Sequence, residues 1–322
     1  MDLNKSELLK AYRIMREIRE FEERLHVEFA TGDIPGFVHL YAGEEAVATG
    51  VCMHLRNDDK LASTHRGHGH CIAKGCDIEG MMLEIYGRKA GLCAGKGGSM
   101  HIADLSKGMM GANGIVGGGP PLVCGAGLAA KQLGTDGVAV SFVGDGGSNQ
   151  GTTMESLNLA SIWSLPCIFV VENNGYAEAT SVRYSTSCDD VSDRASGFNM
   201  PGVTVDGHDF FAMYEAAGAA VRRAREGGGP TLIEAKVNRY YGHFEGDAQT
   251  YRGANEVENL RENRDCIDNF VKRVTDAGLL DAAEIEAVDK EVKAELEAAV
   301  EKAKGAPKPT SDDLLTDVYV TY

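Results

Sequence analysis

Two apolar runs, separated by a glycine-rich turn and a helical stretch, constrain the fold more than any other feature of this sequence. Residues 138–143 form a β-rich run that leads into a Gly-Asp-Gly turn at 144–146. A second apolar run at 167–171 leads into an Asn-Asn pair at 173–174. A strand, a helix and a second strand form a βαβ unit, whose crossover places both strand carboxyl ends side by side. Because ligands of open α/β sheets bind at that edge, we expect a binding site there.

The residue types at this edge predict a metal ion and a phosphate. Asp145 offers a hard anionic oxygen and Asn174 a neutral one, a combination that suits Mg²⁺ or Ca²⁺ better than a thiol-loving metal. Mg²⁺ usually shares its ligand shell with substrate phosphates, so a phosphorylated ligand is expected. Gly146 and Gly147 allow backbone N–H groups to approach that phosphate, and a helix beginning near Gly151 adds its positive end.

The Gly-Asp-Gly turn and the Asn pair, at this spacing, resemble the fingerprint of thiamine diphosphate enzymes. The resemblance implies the thiamine diphosphate-binding fold, with Gly146 and Gly147 beside the diphosphate. It also implies that Asp145, the Asn174 side chain and the Tyr176 backbone carbonyl hold Mg²⁺ against the diphosphate.

Two glycine-rich segments, 87–101 and 111–121, resemble loops of the 2-oxo acid dehydrogenase alpha subunits. In that family, the residues that match Gly114 and Val116 present backbone groups to the aminopyrimidine ring of the cofactor. Without the resemblance, a glycine loop packed under the sheet remains an alternative. A Rossmann dinucleotide site is disfavoured because no G-x-G-x-x-G motif opens a helix after the first strand.

The segment 63–70 contains three histidines, which suggests zinc at first sight. Its glycine spacers give no helical register, and no cysteine or carboxylate lies at tight spacing, so a structural metal is disfavoured. A histidine-arginine pair at a strand end suits phosphate better, because the guanidinium offers a fork of donors. By resemblance, His65 and Arg66 bind the diphosphate.

His39 and His243 are distant in sequence, yet each is predicted to lie where a strand gives way to a loop. Residue type alone leaves a structural role open for both. The resemblance places both in the active site as catalytic residues, His243 near the diphosphate and His39 near the substrate. Histidine suits proton transfer because its ordinary pKa lies close to neutral pH.

The order of predicted elements indicates an α/β fold with a doubly wound, mainly parallel sheet. Helical patterns cover 6–31 with Ser6 as N-cap, 43–54, 78–86, 120–131, 152–163 and 210–225, and strands cover 138–143, 167–171, 203–205 and 231–237. Segments 63–70 and 91–119 are predicted as loops. The whole chain, 1–322, is interpreted as one domain: a helical extension over about 1–35, a sheet core over about 40–245 and a solvated helical extension over about 256–322.

Composition excludes several classes of function. The net charge of −16 argues against nucleic acid or an anionic membrane as a partner, and no apolar run approaches the length of a membrane span. Eight scattered cysteines without a C-x-x-C pair are interpreted as buried free thiols in a reducing compartment. Because the N-terminus has no apolar signal-peptide region, the protein is expected to be cytoplasmic.

Segments 63–70, 114–121 and 242–252 look most like those of acetoin dehydrogenase alpha subunits. The pyruvate branch usually has a tyrosine where His65 stands. In its animal and plant members, a regulatory serine follows the matched histidine, where this chain has Phe244. Phosphorylation control at that position is therefore not expected.

The resemblance implies the alpha subunit of an acetoin dehydrogenase complex, which cleaves acetoin and passes the acetyl group to a lipoyl-bearing acyltransferase. A pyruvate or branched-chain 2-oxo acid dehydrogenase is the alternative. The chain has room for one sheet domain, so the family's activating glutamate is expected on a beta subunit, in an α2β2 assembly. An NAD-dependent oxidoreductase and a catalytically silent scaffold are the alternatives from other classes. The intact set of Asp145, Asn174 and Arg66 counts against the scaffold.

Overall fold

The computed structural model describes residues 3–320. Its strands are β1 Lys60–Ala62, β2 Met109–Gly111, β3 Ala139–Gly144, β4 Cys167–Asn173, β5 Tyr176–Ala177, β6 Thr180–Ser181, β7 Gly202–Asp206 and β8 Thr231–Lys236. Its α-helices are α1 Lys5–Phe29, α2 Glu45–Cys52, α3 His68–Lys74, α4 Ile78–Ile85, α5 Gly119–Leu133, α6 Gly151–Ile162, α7 Val182–Ser185, α8 Phe210–Arg225, α9 Glu256–Arg264, α10 Cys266–Asp276 and α11 Ala282–Gly305.

Six strands form one sheet in the order β2-β1-β3-β4-β8-β7, and every neighbouring pair is parallel. The predicted doubly wound parallel sheet is therefore confirmed. In β3, Val140 and Phe142 join one hydrophobic core, whereas Ala139 and Val143 join a second core. Both faces of this strand are thus covered, which explains why its sequence is a continuous apolar run.

The register of the two central strands creates the binding edge. Ala139 pairs with Cys167 and Gly144 pairs with Glu172, so β3 and β4 end at the same level. Asp145 therefore follows the end of β3 next to the turn that follows β4. The 3-10 turn Gly147–Asn149 and then α6 continue the crossover from β3.

Several predicted boundaries are wrong. The N-cap of α1 is Asn4 instead of Ser6, because Asn4 and Glu7 form a capping box in which each side chain bonds the other's backbone N–H. The predicted loop at 63–70 contains the start of α3. The predicted loop at 91–119 contains β2, an edge strand that pairs with β1.

The C-terminal extension is more integrated than the predicted solvated appendage. Five side chains of α11 lie in the main core, those of Val292, Leu296, Ala299, Val300 and Ala303. In addition, Arg19 of α1 forms buried ion pairs with Glu45 (2.5 Å) and with Asp265 (2.7 Å), which connect the N-terminal helix to the starts of α2 and α10. The domain limits given above stay a prediction.

All eight cysteines are free. Their predicted burial is confirmed for six and wrong for Cys93 and Cys188, which are partly exposed. Within residues 3–320, no helix is both long enough and apolar enough to cross a bilayer.

Candidate active site

A cleft of about 320 Å³ opens at the carboxyl ends of the central strands. This volume lies in the range of small-molecule and cofactor sites. The cleft is lined by residues that follow β1, β3, β4 and β8, together with the segment that precedes α5. Of the predicted site residues, those lining it are His65, Arg66, Val116, Asp145, Gly146, Gly147, Asn174, Tyr176 and His243.

Two predicted residues lie outside this lining. Gly114 is not on the wall, although its neighbours Asn113 and Ile115 are. His39 lies behind the wall, where its ring contacts the rings of His65 and His243.

Asp145 provides the acidic group of the cleft. Its side chain is nearly buried, and its Oδ2 atom has no hydrogen-bond partner among the described residues. Burial raises the pKa of Asp145 to about 6. A buried carboxylate oxygen without a donor is costly unless a cation satisfies it. The residues present therefore fit the divalent cation predicted from the sequence.

The other two predicted metal ligands already have partners. The Asn174 amide donates from Nδ2 to Glu44 Oε1 at 2.8 Å, and its amide oxygen accepts only a long contact from the Tyr176 N–H at 3.5 Å, so the oxygen is available as a ligand atom. The Tyr176 carbonyl accepts a hydrogen bond from Arg239 Nη1 at 3.0 Å. A carbonyl oxygen has two lone pairs, so this bond leaves one available for a cation.

The glycines after Asp145 are required by close packing. A Cβ atom at Gly146 would lie 2.5 Å from the Ala177 Cβ, and one at Gly147 would lie 2.5 Å from Val143 Cγ2. Larger residues would therefore push the turn away from its neighbours and change the wall of the cleft.

Three histidines converge from distant parts of the chain. The ring centroids of His39, His65 and His243 lie 4.6, 5.1 and 5.0 Å apart in the three pairs. Neither His39 nor His243 follows a strand end directly, contrary to the prediction. His39 lies in an irregular segment before α2, and His243 lies in a loop well beyond the end of β8.

All three imidazoles are neutral near pH 7. Burial is the main cause, and it lowers the pKa of His39 to about 2, of His65 to about 3 and of His243 to about 4. The positive charge of Arg66 lowers all three pKa values further. A neutral imidazole has one acceptor and one donor nitrogen, so each ring can form hydrogen bonds to a ligand in both roles.

Nitrogen atoms of these three histidines lie within 4.8 Å of one another, close enough to share a metal ion. The neighbouring guanidinium of Arg66 opposes a cation there. The zinc site considered for the segment 63–70 does not assemble either. His68 bonds to Glu22 and His70 bonds to Glu172, in separate buried networks.

Arg66 connects the segments that carry the histidines. Its guanidinium donates to the Leu40 carbonyl at 2.5 Å and to the His243 carbonyl at 2.8 Å. Burial lowers the pKa of Arg66 to about 10, so the group is still charged near pH 7. Arg239 supplies a second buried guanidinium to the cleft. Two buried cations beside neutral histidines favour an anionic ligand.

Sequence reasoning missed Glu44, Glu172 and Arg239, all of which line the cleft. Glu172 accepts hydrogen bonds from the Tyr41 hydroxyl and pairs with His70 Nε2 at 2.9 Å. The only signal for Glu172 is its place before the Asn pair. Burial, and then the charge of Glu172, raise the pKa of Glu44 to about 8.

The sequence of this chain is similar to those of dehydrogenase alpha subunits. The family model described as dehydrogenase E1 component matches residues 13–312. The alpha subunit of acetoin:2,6-dichlorophenolindophenol oxidoreductase from Cupriavidus necator is 64% identical over 322 residues, which cover 100% of this chain and 97% of that protein. The subunit of the same name from Bacillus subtilis is 56% identical over 326 residues, which cover 100% and 96%. The pyruvate dehydrogenase E1 component subunit alpha of Rhizobium meliloti is 40% identical over 317 residues, which cover 98% and 91%.

Proposed function

The chain belongs to the dehydrogenase E1 component family, and from this premise we propose that it is the alpha subunit of a thiamine diphosphate-dependent acetoin dehydrogenase. The main support is the sequence identity of 64% and 56%, along the whole chain, to the alpha subunits of two acetoin:2,6-dichlorophenolindophenol oxidoreductases. The pyruvate alternative is less well supported, because the pyruvate dehydrogenase subunit of Rhizobium meliloti is 40% identical.

In this proposal, Asp145, the Asn174 amide oxygen and the Tyr176 carbonyl hold Mg²⁺. The orphan Oδ2 atom of Asp145 supports the assignment. Arg66 and His65 bind the diphosphate, and Gly146 and Gly147 keep the turn close to it. His243, which lines the same cleft, would also lie near the diphosphate.

The backbone of Gly114 and Val116 faces the aminopyrimidine ring in this proposal. Thiamine diphosphate, when bound, supplies an electron sink for the charge left as a C–C bond beside a carbonyl breaks. The protein binds and orients the reacting groups. His39 and His243 are the catalytic residues of this proposal, and the negative charge of a bound diphosphate would raise their lowered pKa values toward the range that proton transfer requires.

The alpha subunit family implies a beta subunit as partner, and we propose an α2β2 assembly in which the beta subunit closes the cleft. The apolar side chains at its mouth support this arrangement, since Ile115 is 72% exposed and Val116 is 49% exposed. A lipoyl-bearing acyltransferase would receive the acetyl group. A cytoplasmic location belongs to the same proposal and is supported by the eight free thiols.

The test is turnover of the chain co-expressed with its beta subunit, in the presence of thiamine diphosphate, Mg²⁺ and an artificial electron acceptor. Acetoin and pyruvate are offered in parallel, and Asp145→Ala is compared with Asp276→Ala, a change at an exposed carboxylate of α10. Acetoin-dependent reduction that only Asp145→Ala abolishes is expected. Preference for pyruvate would move the protein to the neighbouring branch. Turnover that is unchanged in Asp145→Ala and unchanged when thiamine diphosphate is omitted would refute the proposal.

A further inference from the structure

Glu44 is a buried acidic residue of the cleft that the proposed reaction leaves without a role. It precedes α2, is fully inaccessible to solvent and lines the same cavity as Asp145 and Asn174. Its side chain does not cap α2. One carboxyl oxygen, Oε1, accepts a hydrogen bond from Asn174 Nδ2 at 2.8 Å. The other, Oε2, makes no hydrogen bond within the described part of the chain.

This contact determines which way the Asn174 amide faces. An asparagine amide has an oxygen and a nitrogen of nearly equal size, and rotation about its last side-chain bond exchanges them. Only the oxygen can bind a hard divalent cation. A carboxylate accepts hydrogen bonds and donates none, and in this structure Glu44 Oε1 lies 2.8 Å from the amide nitrogen of Asn174. The amide nitrogen of Asn174 therefore faces Glu44, and the amide oxygen faces away from Glu44.

Local contacts at Asn174 do little to impose this orientation by themselves. The backbone N–H of Tyr176 approaches the amide oxygen at 3.5 Å, which is at the outer limit of a hydrogen bond. The shorter contact to Glu44 is thus the stronger restraint. It is also a long-range one, because Glu44 belongs to the segment before α2 and Asn174 to the turn after β4.

We propose that Glu44 is a positioning residue, which orients the Asn174 amide so that its oxygen is presented to the divalent cation. This inference rests on the proposed function, because that proposal assigns Asn174 to the metal site. Partners that orient metal ligands in this way typically contribute 10- to 100-fold to metal affinity.

The first test compares Glu44→Met with Glu44→Gln in the chain assembled with its beta subunit. The quantity measured is the dissociation constant of Mg²⁺ at saturating thiamine diphosphate, by titration calorimetry. Both variants replace the titratable carboxyl group and keep the approximate length of the side chain, but only glutamine keeps an acceptor oxygen. We expect Mg²⁺ to bind about tenfold more weakly to Glu44→Met than to the parent, and to bind to Glu44→Gln with an affinity between these two, because a glutamine amide can accept from the Asn174 nitrogen or donate to its oxygen. Equal affinities in Glu44→Met and the parent would overturn the inference.

The second test replaces Asn174 by a residue whose side chain binds a cation equally well in either orientation. An aspartate at position 174 presents oxygen in either rotamer, so Glu44→Met should not weaken Mg²⁺ binding in an Asn174→Asp background. A loss of equal size in both backgrounds would mean that Glu44 only supports the structure, and would overturn the inference. Thermal unfolding of the metal-free assemblies provides a readout of folding that is independent of the metal.

Failure of the inference can be separated from failure of the proposed function. If the parent binds no Mg²⁺ with thiamine diphosphate, or if Asp145→Ala binds as well as the parent, the proposed metal site itself is wrong. If the parent binds Mg²⁺ through Asp145 and Glu44→Met binds equally well, only the role of Glu44 is wrong.

Discussion

At the scale of single residues, burial determines which side chains of the cleft are charged and which are neutral near pH 7. His39, His65 and His243 are neutral because they are desolvated and because Arg66 lies beside them. The guanidiniums of Arg66 and Arg239 place two buried positive charges in the cleft, whose lining also contains Glu44, Asp145, Glu172 and Glu178. An anionic ligand is therefore attracted by these two groups and not by the net charge of the cleft or of the chain, which is −16.

The first prediction concerns acid stability and His39. The pKa of this histidine is about 2 in the folded chain, mainly through burial, and has its ordinary value near 6.5 when unfolded. As pH falls below 6.5, the unfolded chain binds a proton that the folded chain does not, so the free energy of unfolding decreases. His39→Asn should make this decrease shallower by up to about 1.4 kcal/mol per pH unit between pH 6 and 4.

Urea unfolding of the parent and of His39→Asn at several pH values measures this slope. Phe37→Leu is the control, because it alters a nearby side chain without removing a titratable group. Identical slopes in the parent and in His39→Asn would show that the histidine is not held neutral.

The second prediction concerns Arg66, whose guanidinium bonds the carbonyls of Leu40 and His243. A lysine ammonium lacks the planar fork that reaches both. Arg66→Lys should therefore lower the free energy of unfolding by about 1–3 kcal/mol, since one buried carbonyl loses its donor. It should also weaken thiamine diphosphate binding. Equilibrium unfolding and cofactor titration test both effects, with Arg183→Lys at an exposed position as the control.

At the scale of secondary-structure elements, one carboxylate organises the glycine-rich segment after α4. Glu84 is fully buried, and its two oxygens accept hydrogen bonds from four backbone N–H groups, at distances of 2.7–3.1 Å, those of Cys93, Gly95, Gly97 and Gly98. The loop is thus ordered by one side chain of a helix. Its glycine content allows the backbone to wrap this closely, because a Cβ at Gly91 or Gly97 would meet the Glu84 side chain.

The third prediction follows from this arrangement. Glu84→Gln replaces one acceptor oxygen by an NH₂ group, which faces backbone donors and leaves two of them unsatisfied. The free energy of unfolding should fall by about 2–6 kcal/mol, at roughly 1–3 kcal/mol for each of the two buried unsatisfied donors. Amide hydrogen exchange over 93–98 should also become faster. Glu79→Gln, a change at a partly exposed carboxylate of the same helix that pairs with Lys302, should have a much smaller effect on both. Equal behaviour of the two variants would contradict this role of Glu84.

Element boundaries show where sequence patterns are informative. The strands β3 and β4 are predicted almost completely, because their apolar runs are long and end in polar turns. The edge strand β2 and the hairpin of β5 and β6 are missed, since each is only two or three residues long and exists through pairing with its neighbour. The start of α3 at His68 is hidden for a similar reason, because the glycines around it weaken any helical pattern.

At the scale of the whole molecule, the cleft is open on the side where Ile115 and Val116 are exposed. The fourth prediction is that Ile115→Asp weakens assembly with the beta subunit at least tenfold, because a charge is placed in an apolar contact. Leu133→Asp is the matched control, since Leu133 is 78% exposed at the opposite end of α5. Analytical ultracentrifugation of the co-expressed subunits measures both. Unchanged assembly in Ile115→Asp would place the partner on another face.

The sequence by itself determined the α/β class, the central βαβ unit and the placement of Asp145 and Asn174 at one edge. These features are contiguous in the chain, so strand periodicity and turn chemistry specify them locally. Only the tertiary structure decided that His39, His65 and His243 form one cluster, and that Glu44 contacts Asn174. These residues are far apart along the chain, and their proximity depends on how the segment before α2 and the loop after β8 pack against the sheet. No local pattern encodes that packing, because it results from the burial of many apolar side chains at once.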